Sequence, residues 1–182
     1  MVELIARSPL EGLLPRAAGG VQLRETAPAF ITGIAPFAGR EKPCSEALEK
    51  AHGLGLPGVG RSSRAGETTL LWAGRGQYLL LGDRPAARAI ARHAALFDQS
   101  DGWAVMALEG KGAEAVMARL CPLDLRAGSF RRGHVARSEL AHMMALVARL
   151  PKGFRIMVMA SFAACAAERI AEAMESVAAQ GV

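Results

Sequence analysis

The sequence is short of the residues that most often carry chemistry. Only 5% of the 182 residues are aromatic, and there are three cysteines and four histidines. Cys44, Cys121 and Cys165 are odd in number and far apart, which argues against a disulfide framework or a zinc knuckle. No histidine pair has the HxH or HExxH spacing that is typical of metal sites. We therefore expect no metal site and no disulfide in this chain.

Long apolar runs are also missing. Charged residues or prolines interrupt every apolar stretch before it reaches the roughly 20 residues that a membrane-spanning helix needs. The N-terminal sequence MVELIARSPLEGLL has no basic start and carries two glutamates, which is atypical of a secretory signal. The expectation is a cytoplasmic protein without membrane contact.

Positive charge is in excess, with a formal net charge of +5 at pH 7. Such a balance favours acidic partners. The densest basic patch is Arg131-Arg132, followed by Arg137, and we consider these three residues candidates for contact with an acidic partner. The chain is poor in the aromatic residues on which nucleic-acid bases stack, so nucleic-acid binding is not expected.

The spacing of apolar residues predicts an α+β protein. Helices are predicted at residues 45–52, at residues 113–120, at residues 161–177 with Ser161 as the cap, and in a segment capped by Asp83 with Ala87, Ile90, Ala94 and Phe97 on one face. Strands are predicted as two segments within 21–37, as a hairpin of residues 68–73 and 77–81, and at residues 103–109, 134–149 (one strand or two) and 154–159. Residues 54–66 are predicted to be a loop.

This order repeats a similar layout twice along the chain. It predicts two tandem split βαβ (ferredoxin-like) units, with antiparallel sheets that carry helices on one face. Residues 21–182 are expected to form one compact body, with halves at about 21–97 and 98–182.

Residues 1–20 differ from the rest of the chain and are here called the N-terminal arm. Prolines and glycines break any regular element in this apolar segment. Such a segment must be covered by another surface, which is either its own domain or a second subunit. The candidate partner contacts in the arm are Ser8, Pro9, Leu10, Leu13 and Leu14.

The other side chains that could carry chemistry have structural explanations. Asp98, Asp101 and Asp124 lie at predicted turns, where carboxylates bond to the local backbone. Cys121 and Cys165 are predicted to face inward from helices as small apolar residues. The residues thus predict no catalytic site and no cofactor site in this chain.

Short motifs follow one another in a fixed order along the chain. They are Ser8-Pro9-Leu10, Gly55-Leu56-Pro57, Leu71-Trp72-Ala73-Gly74, Phe97-Asp98-Gln99-Ser100-Asp101-Gly102-Trp103, Leu108-Glu109-Gly110, Leu120-Cys121-Pro122-Leu123-Asp124-Leu125, Gly133-His134-Val135-Ala136-Arg137, Ala141-His142-Met143, Phe154-Arg155-Ile156 and Ser161-Phe162-Ala163. Taken together, they resemble the gamma subunits of heterotetrameric sarcosine oxidases over nearly the whole chain.

The resemblance implies a fold related to that of the folate-binding aminomethyltransferases of glycine cleavage. It also implies a role as the non-catalytic gamma subunit of a complex that oxidatively demethylates sarcosine to glycine. The expected partners are the large alpha and beta subunits and the small delta subunit. The flavin, NAD and tetrahydrofolate of such a complex are expected in these partner subunits.

A stand-alone folate-binding or aminomethyltransferase-like protein of one-carbon metabolism is the alternative. Arg131, Arg132 and Arg137 would then meet the anionic tail of a polyglutamyl folate. The aminomethyltransferases place an acidic residue near the folate nitrogens after a glycine-rich hairpin. Here Glu139 is the only carboxylate between Gly133 and Gly153, with no further glycine between them, which argues against transferase activity.

Overall fold

The structure is a computed structural model that describes residues 7–82 and 84–181. Residues 1–6 of the N-terminal arm and the predicted helix cap Asp83 lie outside the described residues. The strands are β1 (Arg16–Ala18), β2 (Val21–Glu25), β3 (Phe30–Pro36), β4 (Ser62–Ala65), β5 (Thr68–Gly74), β6 (Gln77–Gly82), β7 (Ala94–Asp98), β8 (Trp103–Gly110), β9 (Val135–Leu140), β10 (Met143–Leu150) and β11 (Gly153–Met159). The helices are α1 (Glu41–His52), α2 (Ala87–Ile90), α3 (Ala113–Leu120) and α4 (Ala163–Ala179).

The strands form two antiparallel sheets. The large sheet has the order β1-β2-β8-β11-β10-β9, and the small sheet has the order β4-β5-β6-β3-β7. The small sheet therefore uses one continuous stretch of chain, residues 30–98. The large sheet combines residues 103–159 with β1 and β2 from the beginning of the chain, because β2 pairs with β8.

The molecule is built in four layers, with the two sheets packed against each other in the middle. One face of the large sheet packs against α3 and α4, and the outer face of the small sheet packs against α1 and α2. The inner faces meet through apolar side chains, among them Val105, Leu146 and Met157 from the large sheet and Ile31 and Leu81 from the small sheet. The α+β class, the antiparallel sheets and the helices on one face of each sheet agree with the prediction.

The alternation of side chains in β10 shows how the central strands meet both layers. Ala145 and Val147 face the helices, whereas Leu146 and Ala148 face the small sheet. A strand that is covered on both faces must be apolar at successive positions, which explains the continuous apolar run in this strand. β9 and β10 are two strands, joined by a turn at Ala141 and His142 with φ values of 46° and 69°. Such paired positive φ values are typical of two-residue hairpin turns.

The helix predicted from Asp83 to Phe97 is wrong over most of its length. Only Ala87–Ile90 is helical, and Ala94–Asp98 forms the edge strand β7 beside β3. The edge of β3 offers backbone hydrogen bonds to this segment, and Phe97 covers the space above Gly33, where a Cβ would lie 1.9 Å from its ring. Tertiary pairing thus overrides the helical spacing of Ala94 and Phe97.

The start of the last helix also differs from the prediction. A 3₁₀ turn at Ala160–Phe162 precedes α4, and Ser161 makes no capping hydrogen bond. Because α4 begins only after this turn, its buried stripe runs through Ala163, Ala166 and Ile170, while Cys165 is exposed. The expected inward position of Cys165 is therefore wrong, whereas Cys121 is buried as predicted.

The segment that follows α1 is partly extended. The predicted loop 54–66 ends in a short strand, β4, which pairs with the edge of β5. The α1 helix ends where predicted: Gly53 has a φ of 68°, and its N–H donates to the Glu49 carbonyl at 2.8 Å. Within the described ranges, no helix is both long and apolar enough to cross a membrane.

We predict that Gly110→Ala destabilises the attachment of β2 to β8. Gly110 has a φ of +129°, and an added Cβ would lie 2.2 Å from the Gly20 carbonyl oxygen. The free energy of unfolding should fall by about 3 kcal/mol, because backbone strain and overpacking each cost roughly 1–3 kcal/mol. Urea denaturation of the full chain measures this change.

The matched control for this prediction is Gly66→Ala. Gly66 also has a positive φ, of +56°, but no atom lies within 4 Å of the position that an added Cβ would take. This substitution should cost only about 1–2 kcal/mol, which is the strain of a left-handed backbone without a clash. Equal losses for the two variants would contradict the close approach of Gly20 to Gly110.

Candidate partner surfaces and a basic cleft

The described part of the N-terminal arm folds back on its own domain. The prediction that the arm has no regular element is wrong at Arg16–Ala18, because this segment pairs with β2 as strand β1. The Ser8 hydroxyl donates a hydrogen bond to the Glu25 carboxylate and accepts one from the Leu10 N–H at 3.1 Å. The Leu10 side chain is only 1% exposed and belongs to the core between the large sheet and its helices. Leu10 is therefore a core residue of this chain, which is one of the two alternatives that the sequence left open.

The remaining arm candidates stay near the surface. Pro9 is exposed, whereas Leu13 and Leu14 are half-buried, and Leu14 packs against the edge of the core. Leu13 lies over α4, beside Ala167 and Ala171, and its carbonyl accepts a hydrogen bond from Arg16 Nε at 2.9 Å. These residues present a small apolar surface that a partner can reach.

The three basic candidates lie close together along the chain on the surface. Arg131 and Arg132 are exposed in the turn before β9, and Arg137 is exposed on β9 itself. Arg131 Nε donates to the Gly128 carbonyl at 3.0 Å. Among the residues that the structure describes, none of the three forms an ion pair, so their charges are available to an acidic surface.

Asp98 and Ser100 hold the connection between the two sheets. The Ser100 N–H and hydroxyl both donate to Asp98 Oδ1, at 2.9 and 2.6 Å. The same hydroxyl accepts a hydrogen bond from the Ile31 N–H at 3.1 Å, which ties this turn to β3. The hydrogen bonds from Ser100 lower the pKa of Asp98 below its usual value. This arrangement gives Asp98 a structural role.

Asp124 also has a structural role, in the turn that follows α3. Its carboxylate accepts hydrogen bonds from Arg126 Nε at 2.8 Å, Arg126 Nη2 at 2.7 Å and the Ser129 hydroxyl at 2.7 Å. These donors hold the pKa of Asp124 far below its usual range. A carboxylate that is engaged with the donors of its own turn is a poor proton donor or acceptor.

The other groups with possible chemistry do not converge. Within residues 7–82 and 84–181, no cluster of three or more His, Cys, Asp or Glu side chains has the arrangement needed to hold a metal ion. His134 packs edge-on against Phe130, with ring centroids 5.6 Å apart, whereas His142 lies exposed in the turn at the other end of β9. Burial and the nearby charges of Arg61 and Arg131 lower the pKa of His134.

A cleft of about 800 Å³ opens between the two sheets, and sequence reasoning missed it. We call it the basic cleft, because four of its lining side chains are positive and two are negative: Arg24, Arg64, Lys152 and Arg155, against Glu67 and Glu109. Arg24 pairs with Glu109 and Arg64 pairs with Glu67, each at 3.3 Å. Arg155 forms no ion pair and no hydrogen bond through its side chain with any described residue.

Arg155 has an unusual position for a charged side chain. It lies on β11, in the middle of the large sheet, and its side chain points to the same side as the inner-face residue Met157. Burial, followed by the charges of Arg64 and Arg24, lowers the pKa of its guanidinium. A lone arginine in an otherwise apolar strand was the sequence signal that could have found this cleft.

Comparison with known proteins matches the chain over nearly its whole length. No family model matches it. It is 32% identical over 197 residues to the sarcosine oxidase subunit gamma of Corynebacterium sp. strain P-1, covering 98% of this chain and 94% of the relative. It is 32% identical over 152 residues to that of strain U-96, covering 78% of this chain and 73% of the relative.

A solved structure has the same architecture. A chain of the heterotetrameric sarcosine oxidase from Corynebacterium sp. U-96, in complex with pyrrole 2-carboxylate, superimposes with a TM-score of 0.81 and 27% sequence identity. The match covers 95% of this chain and 96% of that chain. Both sheets and their helices are therefore included in the likeness.

We predict that Leu10→Ala destabilises the chain itself. Truncation of a fully buried leucine leaves a cavity in the core and should lower the free energy of unfolding by about 3 kcal/mol. Urea denaturation measures this loss. Leu13→Ala is the control, because Leu13 is half-buried at the surface and its truncation should cost less than about 1 kcal/mol. Similar losses for both variants would show that the arm does not pack as described.

Proposed function

The chain belongs to the family of sarcosine oxidase gamma subunits, and we propose that it is the gamma subunit of a heterotetrameric sarcosine oxidase. The complex would oxidatively demethylate sarcosine to glycine. The observation that carries this proposal is the likeness to named gamma subunits over both sheets, at 32% identity across 98% of the chain. Because the chain also spans 94% of that relative, the proposal concerns the whole subunit.

The proposed role of this chain within the complex is non-catalytic. Three acidic side chains of a type that can carry proton transfer are already engaged: Asp98 with Ser100, Asp124 with Arg126, and Glu114 with Arg149 at 2.6 Å. A general acid or base must be free to exchange its proton with a substrate. These contacts support a structural part in the assembly for the residues concerned.

The partners in this proposal are the alpha, beta and delta subunits of the oxidase. We propose that the flavin, NAD and tetrahydrofolate sites of the complex belong to those partner chains. Two surfaces of the gamma chain are proposed as contacts. One is the surface of the arm at exposed Pro9 and half-buried Leu13 and Leu14, and the other is the basic patch of Arg131, Arg132 and Arg137. Leu10 is left out of this interface because it is buried in its own core.

Co-purification tests the proposed function directly. The chain is tagged in its native cell, purified gently, and examined for flavin absorbance and for the size of the material that accompanies it. Stoichiometric flavin-containing subunits and oxidase activity with sarcosine are the expected result. A colourless chain that purifies alone from cells expressing the candidate partners would contradict the proposal, and tetrahydrofolate titration would then test the alternative function.

We predict that the double variant Arg131→Glu/Arg132→Glu weakens assembly. Reversal of two charges that face an acidic partner should lower the affinity of the chain for its partner subunits by about tenfold or more. Pull-down at a series of partner concentrations measures this affinity. The unfolding midpoint of the isolated variant should stay unchanged, because both side chains are exposed.

The matched control is Arg88→Glu/Arg92→Glu. It makes the same change in net charge at two exposed arginines near α2. This control should assemble like the unmodified chain. An equal loss of affinity in both double variants would mean that only net charge matters, and the patch would not be a specific contact.

A further inference from the structure

Two rows of side chains face the basic cleft from opposite sheets. In the large sheet, Arg24 and Arg155 both lie opposite Ala107, one from β2 and the other from β11. In the small sheet, Arg64 lies opposite Thr69, which in turn lies opposite Leu81. All of these except Ala107 line the cleft. The pairing of the strands therefore sets three arginines around one space.

Small residues make room beside Arg155. Its neighbours across the two adjacent strands are Ala107 on β8 and Ala148 on β10. Arg24 and Arg155 are two strand spacings apart, which is about 10 Å between their Cα atoms. An arginine side chain is long enough to cover much of that distance, so both guanidinium groups can reach a single ligand placed over Ala107.

Arg155 belongs to neither of the two ion pairs in the cleft. Glu109 is engaged with Arg24, and Glu67 is engaged with Arg64, and both pairs lie at the exposed rim. The Arg24 and Arg64 side chains are 49% and 51% exposed, whereas Arg155 is half-buried. A partly desolvated charge without a partner is costly, and an anion bound beside it would remove that cost.

We propose that the basic cleft binds a small organic anion, whose carboxylate or phosphate group is held by the Arg155 guanidinium. Arginine suits this task because its planar fork binds two oxygens of such a group at once. Arg24, Arg64 and Lys152 add positive charge around the ligand. Val105, Leu81 and Leu150 supply apolar wall for the remainder of the molecule.

The size of the cleft and the partial burial of Arg155 favour a free small molecule as its occupant. A volume of about 800 Å³ lies in the range of small-molecule sites, which is roughly 300–1,000 Å³. Arg155 lies on a central strand and is less exposed than the paired arginines at the rim. A space of this size can hold a whole small molecule, whereas a single side chain of a neighbouring subunit would fill only part of it. The proposal goes beyond the subunit role and does not rest on it.

The test is a titration of the full chain with glutarate and with inorganic phosphate, by calorimetry in a buffer of low chloride. Glutaramide, which has the shape of glutarate without its charge, serves as the neutral probe. We expect saturable binding of at least one of the two anions and none of glutaramide. Hydrogen exchange of residues 153–159, with and without the anion, locates the binding and should show slower exchange on β11.

Three variants distinguish a specific effect of the cleft arginines on anion binding from an effect of net charge. Arg155→Gln should weaken anion binding by about tenfold or more, because it removes a charged hydrogen-bond donor. Arg24→Gln lies at the rim and should weaken binding by about threefold or more, even if Arg155→Gln fails to fold. Arg92→Gln, at an exposed site outside the cleft, removes the same charge and should bind like the unmodified chain.

Three results would overturn the proposal. The first is an absence of saturable binding for both anions. The second is an equal change in affinity for Arg24→Gln and Arg92→Gln, which would indicate non-specific attraction. The third is anion binding by the isolated chain that is lost in the assembled complex, since the cleft would then be a subunit contact. Failure here would leave co-purification with flavin subunits unaffected, so the two proposals can be judged separately.

Discussion

The packing of the two sheets against each other is the constraint on which the rest of the structure depends. Because helices cover the outer faces, the central strands β8, β10 and β11 have no face that meets water over most of their length. Side chains such as Val105, Leu146 and Met157 must fill the space between the sheets, while their neighbours in sequence fill the space beneath the helices. Charged side chains gather where the sheets separate, and the basic cleft is such a place.

Much of this fold could be predicted because local pattern and tertiary structure agree in most elements. The hairpin of β5 and β6, the strand β8 and the helix α3 follow directly from apolar periodicity and from glycine at the turns. The largest failure occurs where a partner strand decides the outcome. Residues 94–98 have helical spacing but complete the edge of the small sheet beside β3. No local pattern reveals that β2 pairs with β8, some eighty residues further along the chain.

The candidate site was less accessible to sequence reasoning, for a related reason. Asp98 was recognised as a turn residue because its hydrogen bonds with Ser100 are local. The sequence indicated that Leu10 must be buried against some surface. Only the structure shows that this surface is the core of its own chain. The basic cleft collects Arg24, Arg64 and Arg155 from three strands in two sheets, so that no motif or spacing records their proximity.

Arg155 is the position at which the sequence departs from what stability alone would select. An apolar side chain in the middle of β11 would pack between the sheets without any cost of desolvation, as Met157 does two residues later. The residues opposite Arg155 on both neighbouring strands are alanines, which pack less apolar area around the guanidinium than larger side chains would. Natural proteins are locally consistent except where function requires otherwise, and such exceptions therefore point to a function. An anion bound beside Arg155 would offset the desolvation cost of the guanidinium and would fill the space left by the neighbouring alanines.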